Sequence, residues 1–86
     1  MFHVYVLRSE STGRYYIGST SDLRRRLADH NADLATATKH RGPWRLVYTE
    51  QHPTRGAAML RERHFKTGKG RAEIRGILNT EGSKGR

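Results

Sequence analysis

The fold is decided by two segments near the N-terminus, FHVYVL at residues 2–7 and YYIGST at residues 15–20. Both are rich in β-branched and aromatic residues, and a polar stretch separates them, so they predict a β-hairpin. If the loop holds an even number of residues, Tyr5 and Tyr16 lie on the same face, because side chains alternate along each strand. Gly18 lies inside the second strand, a position typical of close approach by a backbone or a ligand.

An arginine-rich helix is predicted directly after the hairpin, over residues 22–33, with Thr20 or Ser21 as its N-cap. Its apolar stripe consists of Leu23, Leu27 and Leu34. Arg26 and His30 are four residues apart, so they lie on one side of the helix, beside that stripe. The helix therefore places a cation and an imidazole next to its own contact face.

Three more elements are predicted after a polar loop at residues 35–42. They are a strand from residue 44 or 45 to 49, a helix over residues 55–66 that Thr54 caps, and a short helix over residues 72–78. In the second helix Ala58 and Phe65 are seven residues apart, and Glu62 lies between them. A carboxylate therefore falls on the face that is expected to pack inward.

Length and composition predict one domain over residues 1–80, of the α/β (α+β) class, followed by a disordered tail at residues 81–86. A chain of 86 residues, 34% of them hydrophobic, buries only about 60–65% of its unfolded surface, so we expect one small sheet covered by two or three helices. The absence of Cys excludes a disulfide framework and a thiolate zinc site, and it fits a reducing cytoplasm. No signal peptide or membrane span is expected.

Charge is the second strong feature of the chain. Seventeen Lys and Arg against eight Asp and Glu give a net charge of +9. A small domain this basic attracts polyanions, and phosphate contacts make such binding salt-dependent. Nucleic acid is the expected partner, while non-specific binding or contact with an anionic membrane surface are alternatives that charge alone leaves open.

The hairpin tyrosines, Arg26, His30 and Glu62 together form a candidate site for phosphodiester hydrolysis. One carboxylate can hold a Mg²⁺ that keeps several waters and takes its other ligands from substrate phosphate. The metal and an arginine stabilise developing negative charge, while a phenol or an imidazole positions or deprotonates the attacking water. Because no two of the eight acids have the obvious spacing of a two-metal cluster, a single Mg²⁺ or Mn²⁺ is expected.

The segment over residues 2–66 resembles the nuclease domains of the GIY-YIG superfamily, in particular its small stand-alone bacterial members. The resemblance rests on the two tyrosine motifs, on residues 22–31 and on residues 58–66 with the central Glu62. It implies a small three-stranded antiparallel sheet flanked by helices, and metal-dependent endonuclease activity as in homing endonucleases and the excision-repair incision subunit. DNA is favoured over RNA as the substrate, and a protein partner that supplies specificity is left open.

The resemblance also implies roles for single residues. Tyr5 matches the tyrosine of the first motif, which helps to orient the water, and Tyr16 matches that of the second, the favoured general base. Arg26 takes the position of the arginine that contacts the scissile phosphate. His30 takes a position where relatives carry a histidine or tyrosine near the nucleophile, and Glu62 matches the metal-binding glutamate.

Gly18 matches the glycine that packs closely beside the site, but the chain departs from the family pattern elsewhere. Ser19 stands where several relatives have a lysine, and Ile74 stands near the position of an asparagine that many relatives place after the glutamate. These departures keep a second interpretation open, a non-catalytic nucleic-acid-binding module that retains the nuclease fold.

Basic residues outside the candidate site are the predicted contacts to nucleic acid. They are Arg24, Arg25, Lys39, Arg41, Lys66 and Lys69. Arg45 is a further candidate, and Trp44 belongs either to this interface, by stacking, or to the core.

Ordinary ion pairs are the alternative explanation for the charged site residues. The pairs that the spacing allows are Arg26 with Asp22, His30 with Asp33, and Glu62 with Lys66 or Arg55.

Overall fold

The predicted hairpin is present and forms two strands of a three-stranded sheet. The structure, a computed structural model, describes residues 1–35 and 38–84, with side chains described up to residue 79. In chain order the elements are β1 (Phe2–Ser9), β2 (Tyr15–Thr20), α1 (Leu23–Asn31), β3 (Trp44–His52), α2 (Arg55–Phe65) and α3 (Gly68–Lys84). Three strands and three helices confirm the α+β class.

The sheet is antiparallel with the strand order β2-β1-β3, so β1 is central and β2 is an edge strand. Tyr5 lies opposite Gly18, and Leu7 lies opposite Tyr16. Directly opposed residues point to the same face of a sheet. Tyr5 and Tyr16 therefore share one face, as predicted for a loop with an even number of residues.

Each face of the sheet carries its own hydrophobic cluster. On one face the buried residues are Tyr5, Leu7 and Trp44, and Leu23 and Leu27 of α1 pack against them. On the other face they are Val4, Val6, Ile17, Ala58, Phe65 and Ile74, which include residues of α2 and α3. The side chain of Trp44 is 6% exposed, so this residue belongs to the core and not to a nucleic-acid interface.

The first helix is shorter than predicted and has a different cap. α1 ends at Asn31, because Asp33 adopts a left-handed backbone conformation, with φ 60°, that a right-handed helix cannot continue. Its N-cap is Asp22, whose carboxylate accepts a hydrogen bond from the backbone N–H of Arg25, and neither residue before it has this role. Leu34 lies beyond the helix and is 72% exposed, so its assignment to the apolar stripe is wrong.

Two later elements are longer than predicted. β3 continues to His52, and α3 extends beyond both predicted ends of the third helix. The junction between α2 and α3 is tight, because a Cβ at Gly70 would collide with the backbone carbonyl of His64. Glycine at this position therefore allows α3 to begin three residues after α2 ends.

The predicted tail, residues 81–86, falls partly on α3 and partly outside the described residues, at positions 85 and 86. The division into a domain over residues 1–80 and a tail stays a prediction. Within residues 1–35 and 38–84, no helix is both long enough and apolar enough to cross a membrane.

Candidate active site

Tyr5 is at the centre of the candidate site. It projects from the central strand, is 1% exposed, and its ring lies across Gly18 of the edge strand. A Cβ added at Gly18 would be 2.5 Å from the Tyr5 hydroxyl oxygen and 2.7 Å from Cζ. A residue without a side chain is needed here, which is the close approach that a glycine inside a strand indicates.

A chain of buried hydrogen bonds fixes the orientation of the Tyr5 hydroxyl. Its oxygen is 3.0 Å from Nε2 of His30, and Nδ1 of His30 is 2.6 Å from Oγ1 of Thr38. Thr38 donates its own proton to the carbonyl of Ala35, at 3.4 Å, so its oxygen accepts from Nδ1–H. Nε2 is then the unprotonated nitrogen, and Tyr5 donates to it.

Both buried groups are neutral near pH 7. Burial raises the pKa of Tyr5 to about 12, although the nearby Arg26 guanidinium opposes that shift. Burial also lowers the pKa of His30, and the charge of Arg26 lowers it further. Tyr5 therefore keeps its proton, and His30 remains an imidazole that can accept it in a hydrogen bond.

Arg26 lies between this buried pair and solvent. Its side chain is 40% exposed, its Nη1 is 3.8 Å from Oδ2 of Asp29, and the Tyr5 hydroxyl raises its pKa. Asp22 is used as the helix cap and makes no ion pair with Arg26 in the described part of the chain. Likewise Asp33 pairs with His40, at 3.7 Å, and not with His30.

Tyr16 is the accessible phenol of the site. It is half-buried, with its ring centroid 4.9 Å from that of His30 and 6.4 Å from those of Tyr5 and Trp44. These contacts hold the ring, whereas the Tyr16 hydroxyl forms no side-chain hydrogen bond within the described residues. Its oxygen is therefore available to a substrate or a water.

Glu62 reaches the site from α2, on the opposite side of the sheet. Its Oε1 accepts a hydrogen bond from Oγ of Ser19, at 2.7 Å, and its Oε2 accepts one from Nζ of Lys66, at 2.8 Å. Its charge contributes to the raised pKa of Tyr5, so the carboxylate and the phenol interact across the edge strand. The alternative pair of Glu62 with Lys66 is thus present, and the carboxylate remains 24% exposed.

The carboxylate of Glu62 has the chemistry of a ligand for a divalent cation. Among the side chains described, those of residues 1–35 and 38–79, no three His, Asp or Glu lie together as metal ligands. Mg²⁺ is commonly held by one or two carboxylates together with waters and substrate phosphate. The Lys66 ammonium on Oε2 already places a positive charge at this carboxylate.

The predicted nucleic-acid contacts are spread over three parts of the surface. All six are exposed: Arg24 and Arg25 on α1, Lys39 and Arg41 before β3, and Lys66 and Lys69 between α2 and the start of α3. Lys66 lies beside the candidate site through its ion pair with Glu62.

Two partners of the site residues were not identified by the sequence analysis. Thr38 lies in a polar loop, and no periodicity marks it as the partner of His30. Ser19, which stands where several relatives have a lysine, donates a hydrogen bond to Glu62. Alternation along β2 is the signal that could have identified Ser19. Gly18 faces Tyr5, so the side chain of Ser19 points to the opposite face of the sheet, where α2 lies.

Known proteins are similar to this chain in sequence. The sequence profile of the GIY-YIG catalytic domain matches residues 1–75. A UPF0213 protein of Halobacterium salinarum is 46% identical over 67 residues, which cover 77% of this chain and 86% of that protein. A structure-specific endonuclease subunit SLX1 of Meyerozyma guilliermondii is 42% identical over 76 residues, which cover 77% of this chain but only 26% of that subunit.

A solved structure supports the fold as well. The solution NMR structure of a UPF0213 protein from Bacillus halodurans matches with a TM-score of 0.55 at 32% identity, covering 90% of this chain and 85% of that one. The profile match covers most of the chain and includes both tyrosine motifs, Arg26 and Glu62. The chain belongs to the GIY-YIG family of nuclease domains.

Proposed function

We propose that the chain is a divalent-metal-dependent endonuclease that hydrolyses phosphodiester bonds in DNA, with selectivity for the structure of the substrate. One observation carries the proposal. The Tyr5 hydroxyl bonds to His30 and lies over Gly18, and Ser19, the next residue of β2, bonds to Glu62, so groups from both sides of the sheet adjoin one short stretch of the edge strand.

The site divides into accessible and buried groups with different roles. Tyr16, Arg26 and Glu62 are partly exposed, so they are the residues able to touch a substrate. Tyr5 and His30 are almost fully buried, so they act as positioning residues behind that surface. A buried pair with satisfied hydrogen bonds holds the accessible groups in one arrangement.

Each accessible group has a chemical task. Tyr16 positions the attacking water and, once its own proton has been lost, accepts the proton of that water. Arg26 pairs with the phosphate oxygens and stabilises the charge that develops on them. Glu62 would hold the divalent ion, which supplies Lewis acidity at the phosphate, and Lys66 is exposed enough, at 51%, to move aside.

Substrate choice and cellular setting belong to the same proposal. The SLX1 relative is by name a structure-specific endonuclease subunit, and this chain spans about a quarter of its length. We therefore expect a branched or flapped DNA and a protein partner that adds specificity. The cytoplasmic location inferred from the lack of Cys remains a prediction.

The test is cleavage of labelled single-stranded, duplex, flapped and branched DNA and RNA by the purified chain, with Mg²⁺ or Mn²⁺ and with chelator. We expect products from at least one DNA and none with chelator. Tyr16→Phe removes the accessible hydroxyl and should slow cleavage by about 100-fold or more. Tyr48→Phe is the matched control, because the Tyr48 hydroxyl bonds to Glu50 instead of facing the site.

An equal loss of cleavage rate in Tyr16→Phe and Tyr48→Phe would refute the role of Tyr16, because the loss would then be a general effect of removing a tyrosine hydroxyl on stability. Products that persist in chelator would refute the metal dependence.

A binding module without turnover is the second candidate, and one observation favours it. Both carboxylate oxygens of Glu62 are already hydrogen-bonded, to Ser19 and Lys66, which is an arrangement that is stable without metal. This candidate predicts binding that falls steeply with salt, ignores chelator and Glu62→Gln, and yields no product on any substrate.

A further inference from the structure

A groove on the α2 and α3 side of the sheet takes no part in the site described above. It has a volume of about 420 Å³, within the range of roughly 300–1,000 Å³ that is typical of ligand pockets. Its floor is formed by Ile17 and Ile74, which are 7% and 4% exposed, and its rim includes Tyr15. We call it the Tyr15 groove.

Arginines surround this apolar floor. Arg14 comes from the hairpin loop, and Arg71 and Arg75 lie four residues apart on α3, so both face the groove from one side of that helix. A second depression adjoins it, shares Tyr15 and includes Arg8 and Arg45. All five arginines are exposed, and none forms an ion pair within the part of the chain that the structure describes.

The sheet register brings arginines together in a way that destabilises the fold when no anion is bound. Arg8 lies directly opposite Arg45 on one neighbour and opposite Tyr15 on the other, so the three side chains form a row across one face. Like charges directly opposite each other destabilise a sheet. An anion bound over this row would remove the repulsion, which is the electrostatic reason to expect an anionic ligand.

The exposed ring of Tyr15 indicates which kind of anion would bind. Its side chain is 47% exposed, unusual for a large aromatic residue in a strand of this small sheet. An exposed aromatic ring beside arginines is the arrangement that binds single-stranded nucleic acid, because the ring stacks on a base while the cations pair with phosphates. An anion without an aromatic base would leave the ring and the apolar floor unused.

The groove also lies on the face of β2 that carries the contact between Ser19 and Glu62, whereas Tyr5 and Tyr16 lie on the other face of the sheet. Tyr15, Ile17 and Ser19 alternate onto the same face of β2, and Ser19 binds Glu62. Tyr15 and Ser19 are four residues apart, about 13 Å at about 3.3 Å per residue. Since a stacked strand advances about 3.4 Å per phosphate, the two positions would be at most about four nucleotides apart.

We infer that the Tyr15 groove holds an unpaired nucleotide of the substrate, with its base on the ring of Tyr15 and its flanking phosphates on Arg71, Arg75 and the row of Arg8 and Arg45. This inference rests on the proposed function, because it assigns a subsite to the same substrate. It adds the requirement that the strand beside the cut is unpaired over the groove.

The test is fluorescence anisotropy with a short labelled oligothymidylate, in chelator so that no strand is cut. Tyr15→Ala should weaken binding by about 5- to 150-fold, and Tyr15→Phe, which keeps the ring, should retain most of the wild-type affinity. With an abasic oligonucleotide of the same length, Tyr15→Ala should have no effect. Equal affinity of Tyr15→Ala and the wild type for the oligothymidylate would overturn the inference.

The arginines are tested by the salt dependence of the same binding. Arg71→Ala/Arg75→Ala should reduce the slope of log affinity against log salt by about 1.4, two contacts at about 0.7 each. Arg55→Ala/Arg63→Ala removes the same charge from exposed positions outside the groove and should leave the slope almost unchanged. Equal slopes for the two double variants would overturn the phosphate contacts.

Cleavage separates this inference from the proposed function. A chain that cleaves DNA but binds equally well without Tyr15 would refute the groove alone. A chain that needs Tyr15 for binding but gives no product with any metal would refute the nuclease and leave the groove as the site of a binding module.

Discussion

The contact between Gly18 and Tyr5 decides the geometry of the site at the level of single residues. The ring of Tyr5 occupies the space where a side chain at position 18 would be, and Cε1 of Tyr16 would be only 3.2 Å from that Cβ. Gly18 is buried, and the nearer ring, that of Tyr5, is 1% exposed, so it has no open space into which to move. The glycine thus allows two phenols to share one face of a narrow sheet.

Gly18→Ala is expected to damage both fold and activity. Overpacking in a buried site costs typically about 1–3 kcal/mol, and here it also displaces the Tyr5 hydroxyl from His30. The melting temperature and the cleavage rate should both decrease. Gly56→Ala is the control, because a Cβ there meets nothing within 4 Å, and in a helix it should stabilise by about 0.5–1 kcal/mol. An equally stable, equally active Gly18→Ala would contradict the packing.

Thr38 fixes the tautomer of His30, and NMR can measure this directly. The ¹⁵N chemical shifts of His30 should place the proton on Nδ1, with a titration midpoint below the 6.5 of a free imidazole, since burial lowers its pKa. Thr38→Val should cost about 1–3 kcal/mol, because it leaves a buried N–H without an acceptor, whereas Thr38→Ser should retain the tautomer. A proton on Nε2 in the wild type would refute the direction of the network.

At the level of elements, Arg61 ties α2 to both of its neighbours. Its Nε donates to Oε1 of Glu50 on β3, at 2.7 Å, its Nη2 donates to Glu73 on α3, and its guanidinium lies 4.3 Å from the ring centroid of Phe65. Glu62 is the next residue, so this network anchors the helix that carries the candidate metal ligand. The position of the carboxylate thus depends on contacts outside the site.

Arg61→Met should destabilise the fold by about 1–3 kcal/mol. Burial alone would raise the pKa of Glu50, but hydrogen bonds from Tyr48, His52 and Arg61 outweigh burial and lower it. The pKa of Glu73 is also lowered, by its hydrogen bonds from His64 and Arg61. Lowered carboxyl pKa values stabilise the fold above about pH 4.5, and this stabilisation is lost as pH falls through the folded-state values.

The unfolding free energy of Arg61→Met should therefore vary less with pH below about 4.5 than that of the wild type, as chemical denaturation over a pH series would measure. Lys66→Met removes only an exposed pair and should cost less than about 1 kcal/mol. Identical pH profiles for Arg61→Met and the wild type would contradict the network.

At the scale of the whole molecule, metal should contribute little to stability. A site with one carboxylate binds a divalent ion weakly without substrate, and ligand stabilisation follows the ratio of free concentration to dissociation constant. The melting temperature should shift by less than about 2 °C between chelator and millimolar Mg²⁺. A much larger shift would indicate further ligands and contradict the single-carboxylate site.

Local pattern predicted most of the architecture. The hairpin, the shared face of Tyr5 and Tyr16, and the cap at Thr54 all follow from alternation and residue type, and each is present. The end of α1 did not follow, because it depends on the left-handed backbone of Asp33. Hydropathy does not encode that feature.

Contacts between segments that are distant in sequence could not be predicted from the sequence. Thr38 meets His30 through the path of a polar loop, and Arg61 is bonded to acids that are 11 and 12 residues away on other elements. Arg8 and Arg45 become neighbours only through the β1–β3 register, which a bulge after Val6 shifts. No periodicity within one segment reports such pairings.

The single-turnover cleavage rate of Glu62→Gln, at saturating Mn²⁺ and beside the wild type, tests the central claim most directly. Gln keeps the shape and the hydrogen bond from Ser19 but removes the charge that would hold the metal. We predict that the rate falls by at least about 100-fold with the fold intact, while Glu10→Gln, an exposed acid in the hairpin loop, keeps the wild-type rate. A wild-type rate in Glu62→Gln would contradict the assignment of the active site.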